Sequence, residues 1–183
     1  MIDVVATSGD VSSSIFGFHR HIASVYDPGT QGAIQSLNYD EDNRTFADGF
    51  GDGQVTGAAV RQNGQVYFVF NVTGLSNPDW QHLSNTNLTA ADFGLIATDL
   101  YDPGQHPDFS ATGGPLELGF IRANGIFPNA AGYTLTAGID NWKIVITADT
   151  PESSAVPEPS TIVLAALGLF GFRLFVWRRR SVP

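Results

Sequence analysis

In several short segments of this chain apolar and polar residues alternate with a period of two, and no helical period is sustained before residue 161. The clearest case is Val55–Gln62 and Gln65–Thr73 on either side of Asn63-Gly64. A two-residue type I′ hairpin prefers that dipeptide because both central positions need positive φ. In its second strand Val66, Phe68, Phe70 and Val72 share one face, with Tyr67, Val69 and Asn71 on the other, which predicts a strand with one face on a core. Shorter alternations predict strands at Met1–Thr7, Ile15–Phe18, Ile34–Asn38, Leu95–Leu100, Leu116–Arg122, Tyr133–Ala137 and Trp142–Thr147. Asp27-Pro28-Gly29 and Asp102-Pro103-Gly104 read as turns, and Thr89–Phe93 as one helical turn. Short strands with turn signals at this spacing predict an all-β fold, an antiparallel sandwich over residues 1–148. Residues 149–156, rich in Pro, Ser, Ala and Glu, read as an exposed linker.

The end of the chain breaks this pattern. Thr161–Trp177 is an apolar run of 17 residues, interrupted only by Arg173 near its end and followed by Arg178, Arg179 and Arg180. At ~1.5 Å per residue it would extend roughly 26 Å as a helix, close to the ~30 Å of a bilayer's hydrocarbon core. Arg173 is placed to snorkel, Trp177 falls at the interface, and the three arginines favour the cytoplasmic side. The run is therefore expected to be one transmembrane helix, with the body across the membrane.

Pro157-Glu158-Pro159, the apolar span and the basic cluster, in that order, resemble the tripartite PEP-CTERM sorting signal over residues 157–180. That resemblance implies export from a Gram-negative-type bacterium, transient hold in the inner membrane, and processing near Pro157–Pro159 by an exosortase, a membrane transpeptidase. It further implies a destination at the cell surface or in an exopolysaccharide or biofilm matrix. Ser181-Val182-Pro183 extends past the arginines without altering the pattern. The chain opens on Met1-Ile-Asp-Val-Val-Ala rather than on a basic, then apolar leader, so the expected translation start lies upstream.

Charge separates the two parts. Residues 1–158 carry five basic against 18 acidic residues, a net −13, whereas the segment after them is +4. Phosphate backbones would repel such a body, so nucleic acid is not an expected partner. There is no cysteine, which removes disulfides, thiolate metal sites and thiol nucleophiles.

Within the body, Pro107–Asn124 followed by Gly138–Ile146 resembles the end of laminin-G/concanavalin-like jelly-roll ectodomains, which implies a last strand, Trp142–Thr147, closing beside a first, Ile2–Thr7. A loose likeness of this kind speaks to fold and not to activity.

Candidate chemistry is sparse. Residues 40–53 read as an acidic, glycine-rich loop offering Asp40, Asp42, Asn43, Asp48 and Asp52, with Asp48 and Asp52 the first candidate calcium ligands. His19 and His21, two apart on a strand, would face one side and could join His82 or His106 in an imidazole metal site. No Gly-x-Ser-x-Gly is present. Glu117 and Asp140, on or beside strands, are the candidate acid pair for glycoside hydrolysis. For sugar binding, Asp79 and Trp80 on a loop supply a hydroxyl ligand and a stacking ring, with Tyr101-Asp102 second; Trp142 reads as core. The expected function is that of an exported, non-enzymatic surface or matrix protein with carbohydrate affinity as its candidate activity. A matrix polysaccharide hydrolase and a ligand-free spacer are the alternatives.

Overall fold

The computed structural model describes residues 2–5, 10, 12–46, 54–73, 79–97 and 100–150. Eleven strands are found among them: β1 Ile2–Val5, β2 Ser13–Tyr26, β3 Ile34–Thr45, β4 Gln54–Gln62, β5 Gln65–Phe68, β6 Asn71–Thr73, β7 Gln81–Leu88, β8 Gly94–Ala97, β9 Leu100–Asp102, β10 Leu116–Ile126 and β11 Tyr133–Ala148. They form two antiparallel sheets. One has four strands in the order β1-β11-β3-β7; the other has seven, ordered β2-β10-β4-β5-β8-β9 with β6 added on β4.

The sheets pack as a sandwich because each presents an apolar row to the other. Ile34, Leu37, Tyr39 and Leu88 from the four-stranded sheet meet Ala58, Val60, Tyr67, Leu95, Leu116 and Leu118 from the seven-stranded one. At roughly 25 cal/mol per Å² of apolar surface removed from water, this layer is the main source of stability. The expected hairpin forms, with Asn63 at φ 52° and Gly64 at φ 82° and Gln62 opposite Gln65. Asp27-Pro28-Gly29 opens a one-turn helix, Pro28–Gln31, whose first free N–H, that of Gly29, donates to the Asp27 carboxylate. The helical turn expected at Thr89–Phe93 is a 3-10 turn at Ala90–Asp92, with the Asp92 carboxylate accepting from the Thr89 N–H.

Several expectations need correction. The strands at Ile15–Phe18 and Ile34–Asn38 are parts of strands of 14 and 12 residues. In particular, residues 40–45 belong to β3 and are not a loop: Asp40 and Asp42 point outward while Glu41, Asn43 and Thr45 are buried. Leu95–Leu100 divides into two paired strands, β8 and β9. The strand from Gln65 is broken at Val69-Phe70, where β4 places Gly57 at φ 146°; a Cβ there would lie 2.3 Å from the Val69 carbonyl oxygen. Nor is it apolar on one face only. Tyr67 enters the inter-sheet core, whereas Phe68 joins Ala59 and Ile121 in a second cluster on the outer side of the seven-stranded sheet, backed by Phe16, Phe18, Val55, Ile96 and Tyr101. The first strand does lie beside the last, but through Tyr133–Thr136, because Tyr133–Ala148 is one strand and not two.

The core is also not uniformly apolar. Toward the ends of β3 and β10 it holds a fully buried ion pair, Arg122 Nη1 to Glu41 Oε1 at 3.2 Å. The same carboxylate accepts from Tyr39 Oη at 2.5 Å, Thr56 Oγ1 at 2.8 Å and Asn43 Nδ2 at 3.1 Å. Burial, reinforced by the neighbouring Glu41 charge, drives the Tyr39 phenol well above its ordinary pKa, so it remains a donor. Arg122 lies over the Phe120 ring at 5.2 Å, and its Nε and Nη2 are buried without a hydrogen-bond partner.

The sorting motif, the basic flank and the apolar run 161–177 lie outside the described residues. Among the described residues no helix is long and apolar enough to cross a membrane.

Candidate functional site

The outer face of the four-stranded sheet is where exposed rings and polar groups meet. Along β3 the outward set is Asn38, Asp40, Asp42 and Arg44, continuing to Phe46, whose N–H donates to the Thr136 carbonyl. On one side β7 sets His82 opposite Asp42 and Ser84 opposite Asp40. On the other, β11 sets Gly138 opposite Arg44, Asp140 opposite Asp42 and Lys143 opposite Asp40. Three residues of β11 span two of β3 at this point, a bulge. Asn141 carries it at φ 50°, a left-handed conformation that asparagine tolerates. The extra residue reverses the facing of β11, so Leu135 and Ala137 before it, and Trp142, Ile144 and Ile146 after it, all point to the core.

Two aromatic rings settle over the missing side chain of Gly138. A Cβ there would sit 3.0 Å from Trp80 Cη2 and 3.4 Å from Phe46 Cε2. Both rings stay open to solvent, Trp80 at 48% and Phe46 at 36%. The Arg44 guanidinium lies over the Phe46 ring at 4.8 Å, a cation–π contact, with Nε buried and unpartnered. Next along the strand, Asp42 accepts from Asn141 Nδ2 at 2.6 Å and pairs with His82 Nδ1 at 2.9 Å. His82 Nε2 lies 3.7 Å from Asp40. The Asn141 hydrogen bond, then that from His82, holds the Asp42 carboxyl below its ordinary range, so it stays an acceptor. The face therefore joins a pair of half-exposed aromatic rings to a row of intermixed donors and acceptors.

Of the residues expected to bind sugar, Trp80 is in this platform and Asp79 lies exposed beside it. Phe46, Gly138, Arg44 and Asn141 were not anticipated. The second sugar candidate does not hold: the Tyr101 ring covers Gly94, where a Cβ would lie 2.3 Å away, and packs on Phe68 with ring centroids 4.9 Å apart. Asp102 is engaged by the Gly104 N–H and Gln105. Trp142 packs against the core as expected, although its Nε1 is buried without a partner.

Among the described residues neither the imidazole cluster nor the Glu117–Asp140 pair is assembled. His19 and His21 both face the inter-sheet side, over Phe120 and Trp142 with ring centroids 4.8 and 6.4 Å apart respectively. His82 is on the outer face instead, and His106 Nδ1 bonds the Phe93 carbonyl. Among the described residues no group of three His, Asp or Glu is set to hold a metal ion. Asp48 and Asp52 lie outside the described residues. Asn43, counted with them in the acidic stretch, is buried and donates to Glu41. Glu117 is on the outer side of the seven-stranded sheet, bound by Arg20 at 2.7 Å and Arg61 at 2.6 Å. Asp140 is on the outer side of the other sheet, so both layers separate these carboxylates and they cannot flank one glycosidic bond.

Residues 155–180 match the PEP-CTERM protein-sorting motif, which includes Pro157, Glu158, Pro159 and Arg178, Arg179, Arg180. No curated protein and no solved structure matches the chain. The tail thus carries a recognised sorting signal.

Proposed function

We propose that this chain is an exported protein of a Gram-negative-type bacterium, held transiently in the inner membrane by its tail and released by an exosortase to the cell surface or extracellular matrix. There its sandwich acts without enzymatic turnover and binds carbohydrate through the Trp80 platform. The observation that carries the sorting half is the match over residues 155–180, with a Pro-Glu-Pro tripeptide, an apolar run and three arginines in order. The carbohydrate half is supported by a half-exposed indole beside hydrogen-bonding side chains; amphipathic rings of this kind suit a surface with one apolar and one hydroxylated side. The separation of Glu117 from Asp140 favours a binding role over hydrolysis.

Two measurements test the reading. In the native host, Glu158→Ala should leave the full-length chain uncleaved and membrane-associated; normal maturation of that variant would refute processing at the motif. Full-length protein passed over the host's own exopolysaccharide should be retained, and Trp80→Ala should abolish retention. Equal retention of that variant, or none by the parent, removes carbohydrate from the proposal.

A further inference from the structure

We infer that the outer face of the four-stranded sheet takes an uncharged polysaccharide across two adjoining subsites, an inference that rests on the carbohydrate reading above. The first subsite is the ring pair of Trp80 and Phe46 over Gly138. The second is the polar row formed by Asp42, Asn141 and His82, with Asp140 opposite Asp42. Phe46, one residue past the end of β3, is four positions from Asp42, roughly 13 Å at an extended ~3.3 Å per residue, the reach of a short oligosaccharide.

The chemistry of the two subsites is complementary in the way a sugar chain is. One side of a pyranose is C–H rich and sits on rings, while its hydroxyls both donate and accept. Here Asp42 accepts, Asn141 donates, and the His82 imidazole can do either. The groups are held before any ligand arrives: Asn141 by the bulge and its bond to Asp42, His82 by the same carboxylate, and the rings by the bare backbone of Gly138. Preorganisation of this kind lowers the entropy lost on binding.

Charge selects against an acidic polymer. Asp40, Asp42 and Asp140 line the row, with Lys143, Arg44 and His82 interspersed, so the face offers no uniform cationic track. The Arg44 guanidinium is laid over Phe46, and residues 1–148 carry five basic against 15 acidic residues, a net −10. A uronate chain would have to pass three carboxylates without a matching row of cations, whereas a neutral chain meets only hydrogen-bonding partners.

Affinity electrophoresis of the full chain in detergent, with dextran, hydroxyethyl cellulose or galactomannan against polygalacturonate and alginate, tests this. At least one neutral polymer should retard the protein, and the uronates should not. Phe46→Leu and Asp42→Asn should each weaken retardation by about tenfold, equivalent to ~1.4 kcal/mol, with thermal midpoints close to the parent's. Phe46→Leu keeps an apolar side chain under Arg44, which guards against a result due only to unfolding. Retardation that depends on Trp80 but is unchanged by Asp42→Asn and Phe46→Leu would overturn the two-subsite inference and leave the Trp80 reading standing. Stronger retardation by uronates would overturn the charge selection. No Trp80-dependent retardation by any polymer would overturn both.

Discussion

Trp80 and Gly138, 58 positions apart in sequence, meet across the outer face of the four-stranded sheet, where a Cβ on Gly138 would lie 3.0 Å from the indole Cη2. The contact exists because Gly138 pairs with Arg44 and so sits on the outward face, while Trp80 enters β7 one residue before Gln81, the partner of Asn43. The glycine is what lets both rings lie on the sheet. Gly138→Val should lift them, with Phe46 displaced as well. Polysaccharide retention should fall as far as in Trp80→Ala, while the far-ultraviolet circular dichroism spectrum remains that of the parent. Retention at the parental level would show that the platform does not need its glycine floor.

The buried pair Arg122–Glu41 should show strong coupling. Glu41→Leu alone leaves a buried cation without its carboxylate and strands the Tyr39, Thr56 and Asn43 donors; a loss of ~3–5 kcal/mol is expected. Arg122→Met alone should cost a similar amount. The double variant should recover much of the sum, because replacing both partners by apolar groups removes the uncompensated charge. A urea-denaturation cycle measures this, and strictly additive losses would contradict it.

Gly57 should tolerate no side chain. Its φ of 146° and the Val69 carbonyl 2.3 Å from any Cβ both oppose one. Gly57→Ala should destabilise by about 1–3 kcal/mol, whereas Gly64→Ala, with nothing within 4 Å of the added atom, meets only the strain of its φ of 82°. Thermal midpoints of the two variants should fall in that order.

Acid should weaken the seven-stranded sheet through Glu117. Hydrogen bonding from Arg61, with Arg20 adding its charge, holds the Glu117 carboxyl below its usual 4.5 in the folded chain. A depressed folded value means the contribution is present above pH 4.5 and is lost as pH falls through the lower folded pKa. Thermal midpoints should therefore drop on going below pH 4.5, and Glu117→Gln should flatten that part of the curve while lowering stability at neutral pH. Identical pH profiles for parent and variant would refute this role for Glu117.

Much of the body's fold was legible in local patterns. The Asn63-Gly64 hairpin needed only two residues with positive φ between alternating strands, and the turn at Asp27-Pro28-Gly29 needed only the Asp27 carboxylate and the Gly29 N–H. Long strands were harder to read, because β3 carries Asp40, Asp42 and Arg44 outward, and such a run of charges resembles a solvated loop until the inward set Tyr39, Glu41, Asn43 is seen to be buried. A fully buried glutamate is not expected from sequence, since its burial depends on Arg122, 81 positions away. The site was legible in part: Trp80 stood out as an aromatic in a polar segment, but Phe46 and Gly138 had no signal linking them to it.

What the sequence alone determined is the sorting motif, since its three ordered features are contiguous within residues 155–180 and are recognised from local sequence. It also determined the class of the body, because period-two alternation is a local property of each strand. Which residues of that body stand together was decided only by tertiary structure. Strand order sets β3 between β7 and β11, and one extra residue at Asn141 reverses the facing of β11. Those two facts of strand pairing bring Trp80, Phe46, Gly138 and the Asp42 cluster onto one surface, and neither can be read from residues that are neighbours along the chain.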